Sequence, residues 1–209
     1  MNLPIPDMQK IKVKRVLDLV LVLPLLVILS PLLLIIAFLV WLDLGLPILF
    51  RQTRPGLHGR PFTIYKFRTM TQSLDTFGNV MEDGHRITKI GGFLRSTSLD
   101  ELPEFFNILA GEMSLVGPRP LLMSYLTLYS EDQRRRHDVP PGLTGWAQIN
   151  GRNTRSWPDR LALDLWYVQN WTVLLDLKIL TITIWKVVRR EGINQPGRAT
   201  VDAFTGNGE

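Results

Sequence analysis

The 209-residue sequence predicts a mostly helical α+β chain. Its expected parts are a re-entrant N-terminal membrane hairpin helix, a small β-hairpin, and a cytoplasmic-face body with interfacial amphipathic helices. Three observations carry this prediction. Leu19–Leu42 holds no charged residue over 24 positions and is interrupted at its centre by Ser30-Pro31. Residues 46–69 form two β-rich runs around a Pro-Gly and His-Gly turn region. Residues 98–111 and 158–190 carry apolar side chains at helical spacing.

The uncharged run is long enough to cross a hydrocarbon layer of about 30 Å at roughly 1.5 Å per residue. A cleaved leader describes it poorly, because the apolar stretch is too long and no small-x-small site follows it. A straight spanning helix satisfies the length, but two features favour a hairpin. Eleven apolar residues precede Ser30-Pro31 and eleven follow, so each arm is about 16 Å, near the thickness of one leaflet. Pro31 has no N–H and clashes with the Val27 carbonyl, and Ser30 is placed to bond a carbonyl freed by that break. Lys10, Lys12, Lys14 and Arg15 flank one end, and Arg51, Arg54 and Arg60 follow the other. Positive charge on both sides fits a segment whose two ends share the cytoplasmic side. The expected organisation is a membrane helix with its basic flank over 1–45, a soluble body over 46–191 and a loosely ordered tail over 192–209.

Within the body, period-2 alternation puts Phe62, Ile64, Lys66 and Arg68 on one face of the second strand. Residues 71–90 read as a polar loop with some local helix. In STSLDELPEFFNILAGE, Ser98 and Glu101 have capping-box spacing, Leu102, Phe105, Phe106 and Leu109 recur at helical spacing, and Gly111 marks the stop. One helix is expected there, capped by Ser98 or Asp100, and either cap places Asp100 and Glu101 in its first turn. Another is expected from GPRP to Arg134–Arg136, the triplet being either a lipid contact or a solvated helix end. Two more are expected over 158–171 and 173–190. In the last, Leu174, Leu177, Leu180, Ile184, Val187 and Val188 share an arc opposite Lys178, Lys186, Arg189 and Arg190. Such a helix suits either an anionic membrane surface or an ordinary core.

Composition narrows the chemistry. No cysteine is present, which excludes disulfides, thiolate nucleophiles and zinc-thiolate or iron–sulfur sites. No P-loop or dinucleotide-binding glycine motif occurs, and His58, His85 and His137 lack metalloprotease spacing. Cations instead stand in rigid surroundings: Arg54 before Pro-Gly, Lys66 and Arg68 in YKFRTM, Arg119 between two prolines, and Arg152 after Asn-Gly. Guanidinium forks match phosphate oxygens, so this pattern points to a phosphate-rich ligand, against the plainer reading of solvated surface charge. Nucleic acid is a poor partner, because basic residues form no run outside Arg134–Arg136 and a membrane segment suits a duplex badly. A membrane-attached adaptor or nucleic-acid tether is the alternative from a different class. Asp100-Glu101 reads either as a stabiliser of a helix dipole, worth about 0.3–1 kcal/mol, or as a reactive pair. In the second reading, a helix N-terminus and Arg95 keep a carboxylate ionised to bind Mg²⁺ or attack phosphorus.

The motifs KRVLDLV, FRQTRPG, YKFRTM, ITKIGGFLRSTSLDELPEFFNIL, GEMSLVGPRP, PGLTGWAQINGRN and LDLKIL, with the Ser30-Pro31 break, together resemble the bacterial sugar transferases. The resemblance is to their small monotopic phosphoglycosyl transferases and covers about residues 10–205. It implies transfer of a sugar 1-phosphate from a UDP-sugar to polyprenyl (undecaprenyl) phosphate, with release of UMP, at the cytoplasmic face of the bacterial inner membrane. Implied roles are Asp100 as nucleophile and Mg²⁺ contact, and Glu101 as supporting carboxylate. Lys66, Arg68, Arg95, Arg119 and Arg152 would hold phosphates or the leaving nucleotide. Larger relatives carry extra membrane helices and a further domain, so the chain looks like the catalytic core alone. An N-acetylated amino sugar is the expected cargo.

Overall fold

The computed structural model describes residues 8–72, 81–151, 155–189 and 203–206. The apolar run forms one helix, α1 (Met8–Leu44), with Pro24 and Pro31 inside it. The Ser30 hydroxyl donates to the Val27 carbonyl at 2.8 Å, so the acceptor that Pro31 leaves without its helical N–H is satisfied locally. By length and composition α1 is able to cross a membrane. Its outer side exposes Val20, Val27, Ile28, Leu34, Ile35 and Phe38. Its inner side packs on the body along both halves, Val22 in one apolar cluster and Ile36 with Val40 in a second.

Polar bonds tie both ends of α1 to the same body. Near the start, Lys14 pairs with Asp176 at 2.5 Å, and Arg15 donates to the carbonyls of Ile108 and Leu109. Asp18 accepts from the Ser114 hydroxyl at 3.0 Å and the Leu115 N–H at 2.9 Å. At the far end Thr88 donates to Asp43, and Arg68 donates to the Leu44 carbonyl. Lys14 and Arg15, expected in a basic membrane flank, are therefore used inside the fold.

The expected hairpin is present. β1 (Leu49–Pro55) and β2 (Pro61–Phe67) pair antiparallel, with Leu49 opposite Phe67 and Pro55 opposite Pro61. Phe62 and Ile64 point into the core, as alternation requires. The stretch 71–90, expected as a polar loop with some local helix, holds a short α2 (Asp83–Arg86), and an unforeseen α3 (Lys89–Thr97) starts at its end, capped by Thr88, whose hydroxyl accepts from the Gly91 N–H.

The single helix expected from residue 98 is corrected. Ser98 adopts a left-handed conformation (φ 57°) and terminates α3, so its capping box does not form. A 3-10 turn, Leu99–Glu101, follows, and only then α4 (Glu104–Ala110), closed by Gly111 at φ 86°. The long helix after GPRP is corrected too. It divides into a 3-10 turn (Met123–Thr127), α5 (Glu131–Arg134) and a second 3-10 turn (Arg135–His137). Ser130 restarts the chain there with a true capping box to Gln133.

A second sheet, not expected, pairs β3 (Ser114–Val116) parallel with β4 (Gly142–Thr144). The two chains approach so closely that a Cβ on Gly142 would lie 2.0 Å from the Gly117 nitrogen. Glycine is required at this crossing. α6 (Trp146–Ile149), α7 (Trp157–Asn170) and α8 (Val173–Arg189) complete the body. In α8 the apolar arc is outward: Leu174, Ile184 and Val188 are exposed, while Asp176 and Ile179 are buried. Leu180 of the same arc packs against the core, so the arc is outward for most of its members and not for all. Within the tail, Phe204 is not loose but packs against Tyr125, Tyr129 and Trp157.

Candidate active site

The turn between α3 and α4 faces β2, and one buried side chain fixes that relation. Asn107 of α4 accepts from the Tyr65 N–H at 3.2 Å and donates to the Thr63 carbonyl at 2.7 Å and to Glu112 at 2.7 Å. Lys66, next along β2, is thereby aimed at the acidic turn. Its Nζ lies 2.6 Å from Glu101 and 3.1 Å from Glu104. Arg119, held between Pro118 and Pro120, pairs with the same Glu101 oxygen. The Arg119 side chain is 36% exposed against 12% for Glu101, so the cluster opens to solvent on its side.

Asp100 differs from its neighbour. Among the described residues no hydrogen bond or ion pair engages its carboxylate, although Lys66, Arg95 and Arg119 all act on it electrostatically. Burial first, and Glu101 second, push its carboxyl up to about 6 against the pull of those three cations. The helix N-terminus expected beside this group is not there, because Asp100 lies in the 3-10 turn ahead of α4, and desolvation outweighs the cations. A group at about 6 is still mostly ionised at neutral pH. Glu104 is pushed up to about 7, by burial first and by Glu101, against Lys66. Arg119 is raised above the ordinary guanidinium value by Glu101.

The structure thus brings together Asp100, Glu101, Lys66, Arg95 and Arg119. Arg95 has a buried Nη1 with no hydrogen-bond partner among the described residues. Arg68 is elsewhere: it donates to the carbonyls of Leu44 and Pro47 (2.9 Å for the latter) and closes the C-terminal end of α1. Arg152 lies outside the described residues, and Ser30 and Pro31 belong to α1. One participant was not anticipated: Glu104 shares Lys66, and the three-residue spacing from Glu101 is the signal that places both on one face. Arg54, one of the rigidly held cations of the sequence, lies close enough to Arg119 to feel its charge, and burial, then Arg119, lowers its pKa.

Chemically, the cluster offers one unengaged carboxylate, two carboxylates committed to cations, and guanidinium donors with spare capacity. That set suits a ligand carrying several phosphate charges.

Comparison with known proteins agrees with this chemistry. The bacterial sugar transferase family matches over residues 8–190. A relative in Bacillus subtilis, named as the uncharacterized sugar transferase EpsL, is 54% identical over 94% of this chain and 97% of its own length. The UDP-glucose:undecaprenyl-phosphate glucose-1-phosphate transferase of Klebsiella pneumoniae is 43% identical over 83% of this chain, and the undecaprenyl-phosphate galactose phosphotransferase of Salmonella typhimurium is 39% identical over 86%. The matches span only 39% and 41% of those two longer proteins. The chain is a transferase belonging to the bacterial sugar transferase family.

Proposed function

We propose that the protein transfers a sugar 1-phosphate from a UDP-sugar to undecaprenyl phosphate and releases UMP, through a covalent intermediate on Asp100. The observation that carries this reading is the unengaged Asp100 carboxylate among Lys66, Arg95 and Arg119. In the first step an Asp100 oxygen attacks the β-phosphorus, the bond from that phosphorus to the bridging oxygen breaks, and UMP departs with the electron pair. In the second, an oxygen of the lipid phosphate attacks the same phosphorus and returns the carboxylate. Two anions approach an anionic nucleophile, so the cations must lower the repulsion. Arg95, with its spare guanidinium N–H, and the solvent-open Arg119 are the groups placed to take phosphate oxygens.

Mg²⁺ fits the donor set in one form. Among the described residues no group of three His or acidic side chains could enclose a metal. An ion held by one or two carboxylates and completed by substrate phosphates is the usual Mg²⁺ arrangement. Asp100 would hold it, and its chemistry there is neutralisation of diphosphate charge.

The same reading places the chain as a monotopic protein on the cytoplasmic face of the inner membrane, with α1 re-entrant. Support comes from the polar anchoring of both ends of α1 to one body and from the outward apolar arc of α8. The reaction would open assembly of a membrane-linked glycan. The test is a panel of UDP-sugars with purified protein, Mg²⁺ and undecaprenyl phosphate, read as UMP release. UDP-glucose and UDP-galactose come first, after the names of the relatives, followed by N-acetylated amino sugars. UMP release from at least one donor, lost in Asp100→Asn, supports the reading. Full release by Asp100→Asn would refute the covalent route.

A further inference from the structure

We propose that Arg136 is a positioning residue for Arg119, itself fixed by Asp164, an inference that rests on the transferase reading above. Arg136 belongs to the arginine triplet, yet it is 2% exposed, neither a headgroup contact nor a solvated helix end. Its Nη2 donates to Asp164 Oδ2 at 2.7 Å and to the main-chain carbonyl of Arg119 at 2.7 Å. Its Nε donates to the same Asp164 oxygen at 3.1 Å, and the Tyr129 ring lies 5.7 Å from the guanidinium. Asp164 comes from α7, so a helix distant in sequence is joined to the Pro-Arg-Pro segment through one planar group.

The consequence falls on Arg119. Pro118 and Pro120 have no N–H, and Pro120 keeps Arg119 out of helical backbone, so neither helix nor ladder bonding holds this peptide. The Pro118 carbonyl is taken by the Gly142 N–H at 3.0 Å, and the Arg119 carbonyl by Arg136. Arg119 is thus gripped by its main chain on one side while its side chain reaches Glu101 on the other. A buried guanidinium–carboxylate pair seldom stabilises a fold more than apolar packing would. Its third hydrogen bond supplies the reason for it: the height and direction of Arg119 over the carboxylates.

Arg136→Lys keeps a cation beside Asp164 but loses the fork that reaches both acceptors. Under single-turnover conditions with enzyme in excess, UMP release should slow roughly 10- to 100-fold, the effect of a small misplacement of a charged group. The thermal midpoint should stay close to wild type. The deciding measurement repeats the substitution in Arg119→Ala, where no side chain remains to be positioned. No further slowing is expected there. A wild-type rate in Arg136→Lys, or the same factor lost again in Arg119→Ala, overturns the proposal. If Arg136→Lys does not fold, Asp164→Asn enters the same cycle and is judged by the same outcomes. Wild-type protein that releases no UMP from any donor overturns the transferase reading and this inference together, whereas additive losses overturn this inference alone.

Discussion

Two lysine–carboxylate clusters among the described residues differ in whether their bonding is complete. Around Lys14 it is closed. Lys14 Nζ meets Asp176 at 2.5 Å and the Tyr167 hydroxyl at 3.0 Å, and Asp176 accepts from Tyr167 at 2.7 Å and from the Trp171 indole at 2.9 Å. Lys14 and Asp176 are almost inaccessible to water. Around Lys66 the bonding among the described residues is open: Glu101 and Glu104 are paired, Asp100 is not, and Arg95 retains an unused donor. The closed cluster locks α1 onto α7 and α8. The open cluster has charge left over for a ligand. A buried ion network by itself says little about function; unspent bonding capacity is what separates a site from a joint.

The contrast predicts opposite responses to similar substitutions. Asp100→Asn should lower UMP release by at least about 10³-fold, because the reacting atom is removed. The same change removes a carboxylate that burial disfavours, so the substrate-free protein should gain about 1 kcal/mol, roughly 2–4 °C in thermal midpoint at neutral pH. A drop in midpoint would place Asp100 among the structural groups. Asp176→Asn should do the reverse. Leaving Lys14 buried against a neutral partner should destabilise the fold by about 3–5 kcal/mol, seen as a large fall in midpoint. Folding unaffected by Asp176→Asn would break the comparison at its closed end.

Glu101→Gln should have a middle-sized effect. It releases Lys66 and Arg119 from their common anchor, and turnover should fall about 10- to 100-fold with the fold retained. An unchanged rate would mean that the anchor is dispensable.

A pH series sharpens the open cluster further. The Asp100 and Glu104 carboxyls stand at about 6 and about 7 in the folded protein, against ordinary values of 3.8 and 4.5. Each binds its proton more tightly when folded. Their stabilising contribution is complete below the ordinary values and is lost as pH rises through about 6 and about 7. Substrate-free, metal-free protein should therefore become more stable from about pH 8 down to about pH 5. Asp100→Asn and Glu104→Gln should each flatten that slope, and an unchanged slope in both would show that other groups govern it. The smallest effect is expected from Ser30→Ala, about 0.5–1.5 kcal/mol, because only the Val27 carbonyl loses its partner.

How much of this was legible in the sequence depended on the range of the interactions. The hairpin was, since alternation and turn residues are local signals, and the Asp100-Glu101 pair stood out once the surrounding motifs were taken together. Ser98 shows the limit of spacing rules. Its letters satisfy a capping box, but Glu101 is bound by Lys66 and Arg119 from outside the helix, and the chain turns left-handed instead. Arg68 stood in the most suggestive of motifs and serves the end of α1. Arg136 looked like surface charge because Asp164, 28 residues away, is invisible to any periodicity. For these arginines sequence alone supplied the chemical type, while tertiary contact decided the use.

The most direct measurement leaves the lipid acceptor out. Purified protein is given a UDP-sugar that it turns over, with Mg²⁺ and no undecaprenyl phosphate, and both released UMP and the intact protein mass are followed. The account predicts about one UMP per protein molecule, a sugar-phosphate adduct on the peptide containing Asp100, and neither in Asp100→Asn. No UMP until the acceptor is added, or an adduct on a different residue, would contradict it.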